Sequence, residues 1–438
     1  MLVFIYKEIK LSKILGIKAR MLLDSRGNPA VEAEVQTQKA TASAIMPEGA
    51  STGSLEAMEL RDGGKAFLGK GVKKAIANVN ETIAPKLKGL DSGNQKQADK
   101  IMLDLDSTSN KSRLGANAIL PVSIALCKAS AAAQGIQAFE YIGKLAESKE
   151  SILPVPLMNV INGGKHAGDE LAVQEFMLVP LGAGNYSEAL QFNVEIYQTL
   201  KQIIKDKFGK SAINVGDEGG FAPSISKTED VLKLMQLALK ETGYEKQVRI
   251  ALDFAANSFH HNEKYIFEGK ECNNMQFLEI VEGLIERFNL ASVEDPFAEQ
   301  DWQAFCALTK SKGAKCQIVG DDLLVTSVER IQRALKLSAC NSVIIKPNQV
   351  GTVTETLKAV QAAKDAGFNF IISHRSGDSE DDFIADLAVG TGALQIKAGA
   401  PCRSERTAKY NRLLRIEEML GKKAEYAGKR FLQKFTNG

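Results

Sequence analysis

The sequence predicts an α/β fold in which a barrel of the TIM (β/α)8 type carries an N-terminal α+β cap domain. Six short apolar runs in the second half of the chain each end in charged residues. Mostly helical segments, with apolar residues at i, i+3 and i+4 spacing, separate these runs. Continuous Val, Ile and Leu are typical of parallel strands covered on both faces, as in a barrel. The first third of the chain follows a different pattern, which indicates a separate domain.

That first third reads as antiparallel strands followed by helices. Residues 17–37 alternate apolar and polar side chains around a turn at residues 25–29, which predicts a hairpin. Residues 41–53 predict a third strand that ends in a glycine-containing loop. Helices are predicted at residues 72–88, 97–106 and 115–135. We expect an extension at residues 1–14, a cap domain at 15–145 with a mobile loop at 48–54, and a barrel domain at 150–438.

The charges at the ends of the apolar runs change sign along the chain. The acidic ends come first and the basic ends follow: Asp253, Glu294 with Asp295, Asp321 with Asp322, then Lys346, His374 with Arg375, and Lys397. In barrel enzymes the catalytic groups lie at the carboxyl ends of the strands. We therefore expect these groups to meet in one pocket and the protein to be an enzyme.

The composition limits which binding partners and which cellular compartment we expect for the protein. With 438 residues, 44% hydrophobic and 25% charged, the chain suits two ordinary globular domains. A formal net charge of +2 gives no reason to expect nucleic-acid or membrane-surface binding driven by charge. Six cysteines without metal-binding spacing favour a reducing compartment. We expect a cytoplasmic protein, because the N-terminus lacks a signal peptide and no stretch approaches the roughly 18 apolar residues of a membrane span.

Three acidic strand ends predict a metal site. Asp253, Glu294 and Asp321 would repel one another without a cation between them, and ligation by oxygen alone suits Mg²⁺. The alternative is that each acid caps the helix that follows its strand.

The basic strand ends allow several kinds of chemistry. Lys346 follows an apolar strand and could act as a general base, as a Schiff-base amine or as an ion-pair partner of the acids. Arg375 and its neighbouring hydroxyl and glycine form a competent phosphate cradle, or Arg375 pairs with a carboxylate. Lys397 could bind a second anionic group.

A candidate general acid lies outside these strands. Asp217 and Glu218 precede two glycines, and an acidic pair there could bind metal or share a proton. His166, Gln174 and Glu175 lie in two further polar segments and are informative only as members of the set.

The motifs taken together resemble those of the enolase (phosphopyruvate hydratase) family between residues 15 and 420. The motifs are DSRGNPAVEAEV, GASTG, ELRDG, GANAIL, VINGGKHAG, QEFM, VGDEGGFAP, ALDFAA, VEDPFAE, VGDDL, SHRSG, IADLAVG, QIKAGAP and RSERTAKYNRLLRIEE. The resemblance implies a modified barrel whose early strands depart from strict βα alternation. It implies the interconversion of 2-phosphoglycerate and phosphoenolpyruvate in glycolysis, two Mg²⁺ ions per active site, and a homodimer or an octamer of dimers.

The resemblance also implies a role for each site residue. Lys346 would take the C2 proton, and Glu218, supported by Glu175, would protonate the departing 3-hydroxyl. Arg375 and Ser376 would bind phosphate and Lys397 the substrate carboxylate. The metal ligands would be Asp253, Glu294 and Asp321, with Ser51 at the second ion, and the remaining pocket residues would be Gln174, His166 and His374.

Four residues depart from the family pattern, and two other functions stay open. Glu48 stands where the family usually has Ser and could compete for metal; the others are Leu55, Pro121 and Pro347. The alternatives are a different barrel lyase or aldolase acting on a phosphorylated acid, and an enolase scaffold with an additional surface-binding role.

Overall fold

The computed structural model describes residues 12–49, 55–164 and 171–436. Its strands are β1 (Ile14–Leu23), β2 (Pro29–Thr37), β3 (Thr41–Ile45), β4 (Ile152–Leu153), β5 (Val155–Asn162), β6 (Glu175–Val179), β7 (Arg249–Asp253), β8 (His260–His261), β9 (Lys264–Phe267), β10 (Lys270–Cys272), β11 (Ser292–Glu294), β12 (Gln317–Gly320), β13 (Ser342–Ile345), β14 (Asn369–Ser373), β15 (Gln395–Lys397) and β16 (Glu425–Tyr426).

The α-helices come before, between and after the barrel strands. They are α1 (Lys73–Ala77), α2 (Ala84–Leu87), α3 (Gln95–Asp106), α4 (Ala116–Ala133), α5 (Ala138–Leu145), α6 (Tyr186–Phe208), α7 (Thr228–Thr242), α8 (Asn274–Phe288), α9 (Trp302–Lys312), α10 (Val328–Leu337), α11 (Pro347–Val350), α12 (Val353–Asp365), α13 (Phe383–Thr391), α14 (Ser404–Leu420) and α15 (Gly428–Thr436). A π-helical segment, Asn78–Ile83, joins α1 to α2.

Eight strands close into a barrel in the order β11-β12-β13-β14-β15-β5-β6-β7. Strand β6 runs antiparallel to β5 and to β7, and the other neighbouring pairs are parallel. Only residues 163–174 separate β5 from β6, a short connection for the helical crossover that two parallel strands usually have. The barrel is therefore of the TIM type with a modified beginning, as the family resemblance implies.

The cap domain is built on a three-stranded antiparallel sheet in the order β1-β2-β3. The predicted turn between β1 and β2 is confirmed. Oδ1 of Asp24 accepts hydrogen bonds from the backbone N–H groups of Arg26 (2.9 Å) and Asn28 (2.7 Å). Gly27 adopts φ +75°, which glycine allows without steric cost.

Helix α4 packs on this sheet and forms the centre of the cap core. By length and average composition alone, α4 resembles a membrane span. However, 83% of the helix is buried inside the protein, as in the core helix of a globular domain. Pro121 lies inside α4 and is buried with it.

The predicted strand ends are all confirmed. The six apolar runs form β7, β11, β12, β13, β14 and β15. Their residues are buried almost throughout, because helices cover the outer face of the barrel and side chains fill its interior. Each run ends where its strand ends, so the charged residues collect at one end of the barrel.

Candidate active site

The carboxyl ends of the barrel strands surround one pocket. Ten of the predicted site residues line it: Gln174, Glu175, Glu218, Asp253, Asp321, Lys346, His374, Arg375, Ser376 and Lys397. Glu294 is buried beside them. Ser51, His166 and most of the predicted mobile loop lie outside the described residues.

Lys397 lies at the end of β15 and contacts three carboxylates. Its Nζ donates to Asp253 Oδ2 (2.9 Å) and Glu294 Oε1 (2.9 Å) and lies 3.2 Å from Glu175 Oε1. Strand register explains this convergence, because Asp253 is the direct partner of Glu294 on β11 and of Glu175 on β6. All four side chains are buried.

Burial controls the ionisation of this group. Burial and the neighbouring Glu218 raise the pKa of Glu175 well above its ordinary value, and burial and Asp253 raise the pKa of Glu294 to about 8. Burial by itself would lower the pKa of Lys397, but the surrounding carboxylates raise it well above its ordinary value. One lysine does not balance three ionised carboxylates, so all three can be ionised together only with a further cation.

Lys346 and Asp321 form the second centre of charge. The Lys346 ammonium is paired with Asp321 Oδ2, and Gln349 Nε2 donates to Asp321 Oδ1 (3.2 Å). The backbone N–H of Lys346 donates to Thr326 Oγ1 (3.0 Å), which donates in turn to Gln349 Oε1 (2.6 Å). Burial opposes ionisation of both charged groups, yet their attraction lowers the pKa of Asp321 and raises that of Lys346.

Asp295 fixes the turn that carries Asp321. Its Oδ1 and Oδ2 accept from the backbone N–H groups of Asp321 (2.9 Å) and Asp322 (2.6 Å). Carboxylate oxygens of these three residues lie within 4.8 Å of one another. Burial and Asp322 raise the pKa of Asp295 well above its ordinary value, and burial and Asp321 raise that of Asp322 to about 6.

These acids fit a hard divalent cation. The donors are carboxylate oxygens, which Mg²⁺ prefers, and burial together with neighbouring carboxylates raises the pKa values of Glu294 and Asp295. Two candidate sets of ligands share Asp321: the predicted set with Asp253 and Glu294, and the cluster with Asp295 and Asp322. Asp295 is already occupied by two backbone donors. Asp253 and Glu294 instead accept hydrogen bonds from the Lys397 ammonium group, whose positive charge a metal cation can replace.

Glu218 faces the pocket from the loop between α6 and α7. Asn159 Nδ2 donates to its Oε2 (3.0 Å), and His374 Nε2 lies 3.5 Å from its Oε1. The next residue, Gly219, has φ +85°, and the Tyr197 hydroxyl donates to its carbonyl (2.8 Å). A glycine in the left-handed region and a buried tyrosine thus hold the backbone that presents Glu218.

Arg375 forms a buried ion pair with the cap domain. Its Nη1 donates to Glu56 Oε2 (2.8 Å) and to Asn348 Oδ1 (2.9 Å). Burial opposes its charge, and Glu56 raises the pKa of Arg375. A Cβ at Gly49 would lie 1.9 Å from Arg375 Nη2, so a larger residue there would displace the guanidinium. The carboxylate pair that the sequence left as an alternative to phosphate binding is therefore present in the structure.

Known proteins identify the architecture around this pocket. Residues 14–142 match the family "Enolase, N-terminal domain" and residues 150–435 match "Enolase, C-terminal TIM barrel domain". The chain is 48% identical to an enolase of Thermococcus gammatolerans over 427 residues, which is 97% of this chain and 99% of the relative. It is 49% identical to enolase 2 of Hevea brasiliensis over 434 residues, 95% of this chain and 98% of the relative.

The chain belongs to the enolase family. It is therefore a lyase of the phosphopyruvate hydratase type.

Glu48, a departure from the usual enolase pattern, pairs with two arginines of the cap domain. Its backbone pairs with Gly377 through hydrogen bonds of 3.0 and 2.9 Å. Its carboxylate lies 2.9 Å from Arg61 Nη2 and 3.3 Å from Arg26 Nη2. The suggestion that Glu48 competes for metal therefore finds no support in these contacts. Glu48 instead joins the base of the cap to the loop that follows Arg375.

Two other departures are neighbours of site residues in the sequence. Pro347 begins α11, and Lys346 before it is extended (φ −121°, ψ 110°), as the proline predicts. The Leu55 side chain is 55% exposed.

Several residues that position the side chains of this enolase site could not be assigned a role from the sequence. They are Glu56, Asn159, Asp295, Asp322, Asn348, Gln349 and Arg406. Two signals were present: the strand-end acids Asp295 and Asp322, and the motif RSERTAKY around Arg406. Glu56 and Asn348 carry no such signal, because they meet Arg375 only through the contact between cap and barrel.

Proposed function

We propose that the pocket at the strand ends interconverts 2-phosphoglycerate and phosphoenolpyruvate, with Lys346 as base and Glu218 as acid. This assignment rests on one observation: Lys346 and Glu218 line the same pocket, although 128 positions separate them in the sequence. Lys346 lies at the end of β13, and Glu218 lies in the loop between α6 and α7. Base and acid on separate elements suit an elimination in which the proton and the hydroxyl leave from different carbons.

Lys346 would remove the C2 proton, which is a poor acid because its loss adds charge to an already anionic carboxylate. Lys397 would bind that carboxylate and stabilise the added charge. Mg²⁺ held by Asp253, Glu294 and Asp321 would supply further positive charge to the substrate carboxylate and lower the pKa of Lys346 by repulsion. Ser51 at a second Mg²⁺ remains a prediction from the family pattern.

Glu218 would give a proton to the departing 3-hydroxyl. Glu175 would support it, because burial and Glu218 raise the pKa of Glu175 well above its ordinary value and so favour a proton held between them. Arg375 and Ser376 would bind the phosphate, and Gln174, His166 and His374 would complete the catalytic and substrate-binding set. Arg375 would then exchange part of its contact with Glu56 for phosphate oxygens.

A direct assay tests this function. Purified protein with 2-phosphoglycerate and Mg²⁺ should produce phosphoenolpyruvate, followed by its ultraviolet absorbance, and EDTA should abolish the activity. Lys346→Ala and Glu218→Gln should each lower kcat by about 10²- to 10⁴-fold, the usual contribution of a general base or acid. Unchanged kcat in either variant would refute its role. Borohydride should trap no substrate on Lys346, since trapping would indicate a Schiff-base aldolase.

The assembly, domain division and location are part of the same proposal. We expect a homodimer or an octamer of dimers, a cap domain at residues 15–145, a barrel domain at 150–438, and a cytoplasmic enzyme. All six cysteines are free thiols, which fits a reducing compartment. Light scattering on the purified protein measures the oligomer directly, and a monomer at all concentrations would contradict the expectation.

A further inference from the structure

Arg406 on α14 is a fully buried cation that reaches the loop after β14. Its exposed fraction is 0%. Its Nη1 donates to the carbonyl of Arg375 (2.6 Å), and its Nη2 donates to the carbonyls of Ser376 (2.6 Å) and Asp217 (3.0 Å). The same Nη1 lies 2.6 Å from Nδ1 of His374. Arg406 thus contacts both the loop that holds the proposed phosphate ligands and the segment just before Glu218.

The contact with His374 determines where the imidazole carries its proton. A guanidinium has five N–H donors, no acceptor, and keeps its charge at any ordinary pH. Nδ1 must therefore accept the hydrogen bond from Arg406, which leaves Nε2 as the protonated nitrogen of the neutral ring. A doubly protonated ring would direct two N–H groups at each other across 2.6 Å.

The surroundings of His374 also favour the neutral ring. Burial is the largest influence and lowers the pKa of His374 well below its ordinary value. Glu218 opposes this shift, whereas the positive charges of Arg406, Lys397 and Lys346 add to it. The Nε2–H of the neutral ring faces Glu218 Oε1 at 3.5 Å.

We propose that Arg406 is a positioning residue that fixes His374 as the neutral Nε2–H tautomer and so directs a hydrogen-bond donor at the carboxyl group of Glu218. His374 then orients the proposed acid and does not transfer protons itself near neutral pH. Asn159 donates to the other oxygen, Oε2 (3.0 Å). Two donors would stabilise the carboxylate that remains after Glu218 has protonated the leaving hydroxyl. This consequence rests on the proposed function, whereas the tautomer does not.

The tautomer can be measured without turnover, because the chain has only four histidines. Protein labelled with ¹⁵N-histidine gives long-range ¹H–¹⁵N correlations that distinguish protonated from unprotonated ring nitrogens, and His374→Gln assigns the signal. We expect a protonated Nε2 and an unprotonated Nδ1 at position 374, unchanged over about pH 5.5 to 7.5, where an ordinary histidine titrates. A protonated Nδ1, or titration near pH 6.5, would overturn the proposal.

Variants of two buried cations on α14 separate positioning from simple support. Lys409 also holds this loop, through Asp378 Oδ1 (3.1 Å) and the carbonyl of Ser379 (2.6 Å), and makes no hydrogen bond to His374. Arg406→Lys keeps a side chain that can only donate and should keep the tautomer, whereas Gln at this position can donate or accept, so Arg406→Gln should mix the two tautomers and lower kcat about 100-fold. Lys409→Gln should leave the tautomer as in the wild type.

Each result bears on the proposal, including the case in which Arg406→Gln does not fold. The wild-type spectrum alone then decides the tautomer, and a wild-type tautomer with Nδ1 protonated would refute the proposal even in a fully active enzyme. A correct tautomer in a protein without enolase activity would leave the positioning role intact and remove only its catalytic consequence. A change of tautomer in Lys409→Gln as large as in Arg406→Gln would also contradict the assignment to Arg406.

Discussion

Two sides of the pocket differ in how their charges are balanced. On the side of the proposed metal site (the metal side), at the ends of β7, β11 and β12, buried carboxylates outnumber the lysines that contact them, and the pKa of Glu294 rises to about 8. On the side of the proposed phosphate site (the phosphate side), after β14, the charged groups already have partners: Arg375 with Glu56, and Lys409 with Asp378. We therefore expect the metal side to change its charge balance when a cation binds, whereas ion pairs within the protein already organise the phosphate side.

The largest expected effect is on Mg²⁺ affinity. Asp253→Asn and Glu294→Gln should each weaken Mg²⁺ binding by more than about 100-fold, measured by calorimetry. Each substitution removes a charged metal ligand itself, which costs more than removing a residue that only hydrogen-bonds to a ligand. Asp322→Asn is the matched control from the neighbouring acidic group and should have a smaller effect. The reverse order would move the metal site to Asp295, Asp321 and Asp322.

A large effect on stability is expected on the phosphate side. The Glu56 and Arg375 side chains are 4% and 5% exposed, so Glu56→Ala removes a negative charge that balances the buried Arg375 guanidinium. We expect a loss of about 3–5 kcal/mol in the free energy of unfolding, measured by urea denaturation. Asp104→Asn is the control, since its pair with Lys100 is largely exposed and should be worth less than about 1 kcal/mol. Similar losses in both variants would remove the distinction between the two sides.

The neutral state of His374 predicts a pH dependence of stability. Its pKa is lowered in the folded protein, so the unfolded chain binds a proton that the folded protein does not. This contribution to stability is complete above about pH 6.5 and is lost as the pH falls, at a rate of at most about 1.4 kcal/mol per pH unit. The stability of the wild type relative to His374→Gln, measured by urea denaturation in EDTA, should therefore decrease toward acid pH. A difference that does not change with pH would contradict the buried neutral ring.

The smallest effect is expected at Glu48. Its ion pairs with Arg26 and Arg61 are partly exposed: the side chain of Glu48 is 17% exposed, that of Arg26 19% and that of Arg61 21%. Glu48→Ser, which restores the usual family residue, should change the free energy of unfolding by less than about 1 kcal/mol. Mg²⁺ affinity should stay as in the wild type, because the Glu48 carboxylate faces arginines. Clearly tighter Mg²⁺ binding in Glu48→Ser would show that this carboxylate does compete for the metal.

The difference between the metal side and the phosphate side also explains which site residues could be predicted from the sequence. The metal side is built from strand ends, and each strand is a continuous apolar run that stops at a charge. Asp253, Glu294 and Asp321 could therefore be found one by one. The antiparallel β6 could not be found in this way, because strand direction depends on a connection that carries no periodic signal.

The phosphate side depends on contacts between distant parts of the chain. Glu56 and Arg375 are 319 residues apart, and no local pattern links them. Arg406 lies in a motif that indicated the family, but only the structure shows its contact with Nδ1 of His374. Contacts between cap and barrel, and between α14 and the β14 loop, are decided by tertiary packing.

The most direct test of the account separates the base from the acid. Exchange of the C2 hydrogen of 2-phosphoglycerate with deuterated water can be followed by NMR in the presence of Mg²⁺. Glu218→Gln should still exchange this hydrogen while forming little phosphoenolpyruvate, and Lys346→Ala should lose both exchange and product. Exchange that persists in Lys346→Ala, or that disappears only in Glu218→Gln, would contradict the assignment of Lys346 as the base at the end of β13.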